Sequence, residues 1–229
     1  AAAAAGVEPP EVDFRPVAVK DWVTEVEKLL SPTHVGPYFI RGSHIRDQPP
    51  VGSVEIRIDA GLAFGTGDHE TTQGCLRAIE EFVTLQSRWN VLDLGTGSGI
   101  LAIALAKRFG FVTVASDNDP VAIDVARTNA LQNGVAGNIE FYIADGLNHP
   151  ELSAHKPYAL VIANIVSKPL ISMAGDISGV LATNGTIILS GILTGQAKEV
   201  IDAYTKVGFV AARRIILGEW ETLVFRRVI

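Results

Sequence analysis

Beyond residue 70 the chain alternates helix-length and strand-length runs in strict succession, and this alternation limits the fold more than any other feature of the sequence. Hydrophobic spacing predicts helix 70–83, strand 90–94, helix 99–109, strand 113–117, helix 120–133, strand 139–143, strand 158–164, helix 169–181, strand 186–190 and helix 196–207, with two β-rich runs, 210–217 and 221–227, at the end. The strands Val161-Ile162-Ala163 and Ile187-Ile188-Leu189 show no polar alternation. Strands that apolar cannot leave either face in water, so helices must cover both sides. The expected fold class is therefore α/β, a doubly wound, mostly parallel sheet of the Rossmann-like type, with the last two strands forming an antiparallel C-terminal edge hairpin.

The first 60 residues read differently. Residues 1–20 open with five alanines followed by a Pro-rich stretch, and are expected to be extended or disordered. Residues 21–60 form a linker: a short amphipathic helix over 21–30, ended by Pro32 and Gly36, then β-rich pieces at Tyr38–Ile40 and Val54–Ile58 that make a small strand unit. Residues 61–229 carry the main domain.

The strand-to-helix turn Asp93-Leu94-Gly95-Thr96-Gly97-Ser98-Gly99-Ile100 carries the most chemical information. Glycines let backbone approach a ligand with no Cβ in the way. A dinucleotide fingerprint requires G-x-G-x-x-G, but position 100 is Ile, and the observed D-x-G-x-G-x-G is the form used for S-adenosylmethionine. Gly95 and Gly97 would line the cofactor, and Asp93 would sit beside its cationic methionine end. Asp117, at the end of the next strand, can accept hydrogen bonds from both ribose hydroxyls. Asp119, followed by Pro120, reads as a helix N-cap. Asp145, after the third strand, is either a contact to the adenine amino group or a plain turn residue.

Strand 158–164 ends in Ala163-Asn164-Ile165, at the carboxyl edge where open α/β sheets bind ligands. The Asn164 side-chain oxygen can accept a hydrogen bond from a substrate amine, which makes it the candidate catalytic residue; the alternative is a strand terminator. No aromatic follows to stack a nucleic-acid base, which favours an aliphatic amine.

The segment Ala63-Phe64-Gly65-Thr66-Gly67-Asp68-His69-Glu70-Thr71-Thr72 is not required by the fold. Together with the glycine loop, Ala163-Asn164-Ile165 and Ser190-Gly191-Ile192-Leu193, it closely resembles the bacterial ribosomal protein L11 methyltransferases, over about residues 21–220. The resemblance implies that Thr72, Gly95, Asp117 and Asn164 contact S-adenosylmethionine, with Phe64 in a 64–69 loop that closes over it. It implies methyl transfer to lysine side-chain amines and the N-terminal amine of ribosomal protein L11, the expected partner. It also implies an N-terminal recognition domain that is largely absent from this chain. His69 is either a base or a loop-ordering residue, so no general base is assigned.

Charge and composition narrow the alternatives. A net charge of −6 argues against direct nucleic-acid binding through the phosphate backbone. One cysteine, Cys75, cannot form an internal disulfide, the histidines lack metal spacing, and the longest apolar run is far short of a membrane span. These features fit a cytoplasmic enzyme with no metal and no membrane contact. A nicotinamide-dependent dehydrogenase would share the sheet but not the glycine spacing. A non-catalytic S-adenosylmethionine-binding module, or a methyltransferase for another protein or a small amine, would share every motif named above.

Overall fold

The computed structural model describes residues 31–59, 67–83 and 90–227. The expected extended segment 1–20, the expected helix over 21–30 and residues 60–66, Phe64 among them, lie outside the described residues.

Two sheets are present among these residues. A small one contains β1 (Thr33–Val35), β2 (Tyr38–Arg41) and β3 (Val54–Arg57), with β1 antiparallel and β3 parallel to β2. The large one has seven strands: β4 (Val91–Leu94), β5 (Thr113–Asp117), β6 (Ile139–Ile143), β7 (Tyr158–Asn164), β8 (Leu181–Leu193), β9 (Phe209–Leu217) and β10 (Trp220–Arg227). Their order is β6-β5-β4-β7-β8-β10-β9, with β10 antiparallel to both of its neighbours and the rest parallel. The strand order reverses at β4, between β5 and β7, so the carboxyl ends of these strands frame a crevice.

Helices α1 (Glu70–Phe82), α2 (Ile100–Phe109) and α3 (Pro120–Gln132) cover one face of the large sheet. The other is covered by α4 (Pro150–Ala154), α5 (Ser167–Ser172), α6 (Ala174–Val180) and α7 (Ala197–Lys206). Alternate β4 residues feed the two cores: Val91 packs with the first layer, Leu92 and Leu94 with the second. The small sheet joins the first layer through Val35, Tyr38, Ile40 and Ile56. The Tyr38 hydroxyl donates to Glu80 Oε1 at 2.8 Å, and Arg108 Nε donates to the same oxygen at 3.1 Å, tying β2, α1 and α2 together.

Several sequence expectations are corrected. The last two strands form the expected antiparallel hairpin at one edge of the sheet, but in reversed spatial order, with β10 next to β8 and β9 outermost. Burial explains the placement: Leu223, Val224 and Phe225 are apolar on both faces and fully buried, whereas β9 is largely exposed. The single helix expected over 169–181 is two, α5 and α6, broken at Met173. The last helix starts at Ala197 after a short 3-10 turn, Thr194–Gln196. Helix α4 was not foreseen; His149 and Pro150 start it, with the His149 side chain accepting from the Glu151 N–H.

Candidate functional site

The crevice holds two adjoining cavities at the carboxyl edge of the large sheet. The larger, about 720 Å³, is lined by Asp145, Gly146, Leu147 and Met173 among others. The smaller, about 360 Å³, is lined by His69, Thr72, Gly97, Asn164, Val166 and Trp220 among others. Gly95, Asp117 and Ile165 border both.

The glycine loop between β4 and α2 forms the floor at their junction. Gly95, Gly97 and Gly99 all have positive φ, which an L side chain rarely adopts. At Gly95 a Cβ would also come within 2.5 Å of Ile165 Cγ2, so the loop packs directly on the segment that carries Asn164. The loop is held from below. The Ser116 carbonyl accepts the N–H groups of Gly95 and Thr96 at 2.8 and 2.9 Å. Asp117 Oδ2 accepts the Gly97 N–H at 2.9 Å, and its Oδ1 accepts the Asp119 N–H at 3.1 Å. Each Asp117 oxygen keeps a lone pair, enough to take a vicinal diol. Asp119 Oδ1 accepts from Val121 N–H at 2.8 Å, the N-cap expected from the sequence.

Asp93, expected beside the methionine end of the cofactor, is not among the residues lining either cavity. It is wholly buried beneath the loop; its Oδ2 accepts from the Thr96 hydroxyl at 2.7 Å and from the Ala102 N–H at 3.1 Å. It thus caps the open N-terminus of α2 from the preceding strand. Its Oδ1 has no partner among the described residues, and burial lifts its carboxyl pKa to about 7 against the lowering effect of those two bonds. Asp145 is exposed at the wall of the larger cavity, on the opposite side of Asp117 from Asn164.

In the smaller cavity, Asn164 Nδ2 donates to Thr72 Oγ1 at 3.3 Å. This contact aims the amide, and Asn164 Oδ1 is left buried with no hydrogen-bond partner among the described residues. Buried polar atoms are nearly always paired, so an orphaned acceptor in a cavity wall marks a place for a donor. Thr72 is positioned by α1, whose first turn is fixed twice: His69 Nδ1 accepts from the Thr71 N–H, and Ser190 Oγ donates to the Thr71 carbonyl at 3.1 Å.

Two wall residues were missed in the sequence. Trp220 opens β10 and meets the His69 ring edge to face, with centroids 5.1 Å apart. Its only local signal is an aromatic directly after the Gly218-Glu219 turn. Gly191 lies in β8 with φ +80, and a Cβ there would lie 2.4 Å from the Ile165 carbonyl oxygen. The Ser190-Gly191 pair was noted as part of a motif, but only the close approach of Ile165 shows why it is glycine.

Comparison with known proteins follows the same lines. A family model described as ribosomal protein L11 methyltransferase (PrmA) matches residues 1–228. A ribosomal protein L11 methyltransferase of Brucella suis is 45% identical over 203 residues, covering 89% of this chain and 71% of that protein. One of Rhizobium etli is 44% identical over 207 residues, covering 90% and 71%. Among solved structures, the ribosomal protein L11 methylase of Lactobacillus delbrueckii subsp. bulgaricus superposes with a TM-score of 0.78 at 29% identity, covering 86% of this chain and 99% of that one. An RNA methyltransferase of Salinibacter ruber, in complex with S-adenosyl-L-homocysteine, has a TM-score of 0.53 at 20% identity over 67% of this chain and 89% of that one, a likeness of fold alone.

Proposed function

The chain belongs to the ribosomal protein L11 methyltransferase family, and from that premise we propose that it methylates amines of ribosomal protein L11, using S-adenosylmethionine bound across the two cavities. The observation that carries this reading is Asn164, which lines the smaller cavity with its amide nitrogen bonded to Thr72 and its buried oxygen without a hydrogen-bond partner among the described residues.

The residues present fit the cofactor. Asp117 has the lone pairs for the ribose hydroxyls, the loop at Gly95 and Gly97 offers backbone at close range, and the larger cavity beside Asp145 has room for the adenine. Asp93 then serves by holding the loop rather than by touching the ligand. When bound, S-adenosylmethionine supplies a methyl carbon made electrophilic by the neighbouring sulfonium.

Asn164 orients the acceptor. Its oxygen accepts one N–H of the incoming amine and fixes the direction of the nitrogen lone pair, and such alignment contributes most of the rate advantage of a bound displacement. Being neutral, the amide gives an ammonium no charge-charge stabilisation. A free lysine amine has a pKa near 10.4, so presenting it unprotonated at pH 7 costs about 4–5 kcal/mol. The apolar walls supplied by Ile100, Leu101, Ile165 and Val166 reduce that cost by disfavouring the charged form. His69 is engaged as the cap of α1, and no general base is assigned.

No helix among the described residues is long and apolar enough to cross a membrane. A ribosomal-protein substrate supports a cytoplasmic reaction in this reading. Calorimetric titration with S-adenosylmethionine, followed by mass spectrometry of unmethylated ribosomal protein L11 incubated with both, tests it. Saturable binding with mass gains in steps of one methyl group is expected. Binding without any mass gain would overturn the substrate assignment, and no binding by folded protein would overturn the cofactor assignment.

A further inference from the structure

Asn129 projects from α3 into a space closed to solvent, and its side chain joins two separate segments. Its Nδ2 donates to the Ser98 carbonyl at 2.9 Å and to the Asp59 carbonyl at 3.2 Å, while its Oδ1 accepts the Asp59 N–H at 3.1 Å. A side-chain amide can donate and accept at once, so it pairs with both backbone groups of Asp59 as a neighbouring strand would, and still holds the glycine loop. One turn later Asn133 repeats half of this arrangement. Its Oδ1 accepts the Arg57 N–H at 3.0 Å and its Nδ2 donates to the Arg57 carbonyl at 2.7 Å, with no bond to the loop. The two asparagines therefore make equivalent bonds to the β3 edge, but Asn129 alone of the pair is also bonded to Ser98. Next to Ser98, a Cβ on Gly99 would lie 3.0 Å from Ala126 Cβ, so α3 and the loop already touch there without slack.

We propose that Asn129 is a positioning residue for cofactor binding: it fixes the Ser98 carbonyl, and through it the conformation of Gly95 and Gly97, to the same point on α3 that anchors the end of β3. This rests on the reading of the glycine loop as the S-adenosylmethionine site. Removing Asn129 deletes the tie between α3 and the Ser98 carbonyl, so the loop must rearrange or be held by other contacts before the ligand finds its backbone partners.

Asn129→Leu removes all three bonds with the same side-chain branching, and Asn129→Asp keeps the acceptor for the Asp59 N–H while losing the donor to the Ser98 and Asp59 carbonyls. Asn133→Leu loses the equivalent bonds to β3 but leaves Ser98 untouched, and Asp117→Ala reports on the cofactor site directly. The readouts are S-adenosylmethionine affinity by calorimetry, KM and kcat with ribosomal protein L11, and the thermal midpoint of each variant. Both Asn129 variants are expected to weaken binding and raise KM for S-adenosylmethionine about tenfold, with kcat within about twofold of the parent. Asn133→Leu is expected to lower the midpoint as Asn129→Leu does, with affinity unchanged. Unchanged affinity in whichever Asn129 variant folds, or an equal loss in Asn133→Leu, would overturn the proposal while leaving the cofactor site intact. If Asp117→Ala also bound like the parent, the site assignment itself would fall.

Discussion

Asn164 and Thr72 are 92 residues apart in the chain, yet the amide of one donates to the hydroxyl of the other at 3.3 Å across the smaller cavity. In this arrangement Nδ2 is engaged and the oxygen has no hydrogen-bond partner among the described residues, which in the proposed reaction leaves it for an incoming N–H.

Replacing either partner should therefore affect turnover more than cofactor affinity. Asn164→Ala is expected to lower kcat about 100-fold. Thr72→Val, which keeps the shape but loses the acceptor, is expected to lower it about tenfold. The double variant should be no worse than Asn164→Ala, because the two act as one unit. Steady-state kinetics with ribosomal protein L11 provides the check, and strictly multiplicative losses would sink the coupling.

In the proposed cofactor site Asp117 would govern affinity instead. Asp117→Ala removes the bond that holds the Gly97 N–H and, in that reading, the acceptors for two ribose hydroxyls. At about 1 kcal/mol for each lost hydrogen bond, S-adenosylmethionine should bind about 30-fold or more weakly. Calorimetry on the folded variant reads this directly.

Asp93 should make stability depend on pH. Burial raises its folded-state pKa from the ordinary carboxylate range to about 7. Between about pH 4 and pH 7 the folded state then binds more protons than the unfolded state, so this group's contribution falls as pH rises and is fully lost above pH 7. Asp93→Asn retains an oxygen for Thr96 and Ala102 but cannot ionise. The parent is expected to lose on the order of a few kcal/mol relative to this variant between pH 5 and pH 8. Denaturant titrations across that range, giving parallel curves for the two proteins, would refute it.

Gly191→Ala tests the packing behind Asn164. The added methyl meets the Ile165 carbonyl in a backbone conformation with φ +80. A loss of about 2–4 kcal/mol in stability is expected from overpacking and left-handed strain together, with a fall in kcat as the 164–166 segment is displaced. A variant as stable and active as the parent would show that Ile165 yields at no cost.

The elements around the glycine loop could be read from the sequence because their causes are local. Strand β5, strand β6 and strand β7 match their expected bounds, and Asp119 caps α3 as Asp-Pro at a strand end predicts. Asp117 and Asn164 were identifiable because the carboxyl edge of a parallel sheet follows from strand direction alone. The break at Met173 was not, since a continuous apolar period runs through it. Trp220 was hidden because it depends on β10 entering the sheet between β8 and β9, which brings it against His69.

Asp93 shows the boundary between the two kinds of information most clearly. Its motif marked a strand-to-helix turn, which is present, but not the direction of the carboxylate, which turns inward to Thr96 and the start of α2. By itself the sequence determined the α/β class, the turn that carries the glycines and the residue types at the sheet edge, because periodicity, glycine conformation and strand polarity act over a few residues. Only the tertiary structure decided that Thr72 bonds Asn164, that Asn129 ties Ser98 to Asp59 and that Gly191 clears Ile165. Those relationships join residues from 26 to 92 positions apart, in a core where burial forces each polar atom to find its partner wherever the fold happens to bring one.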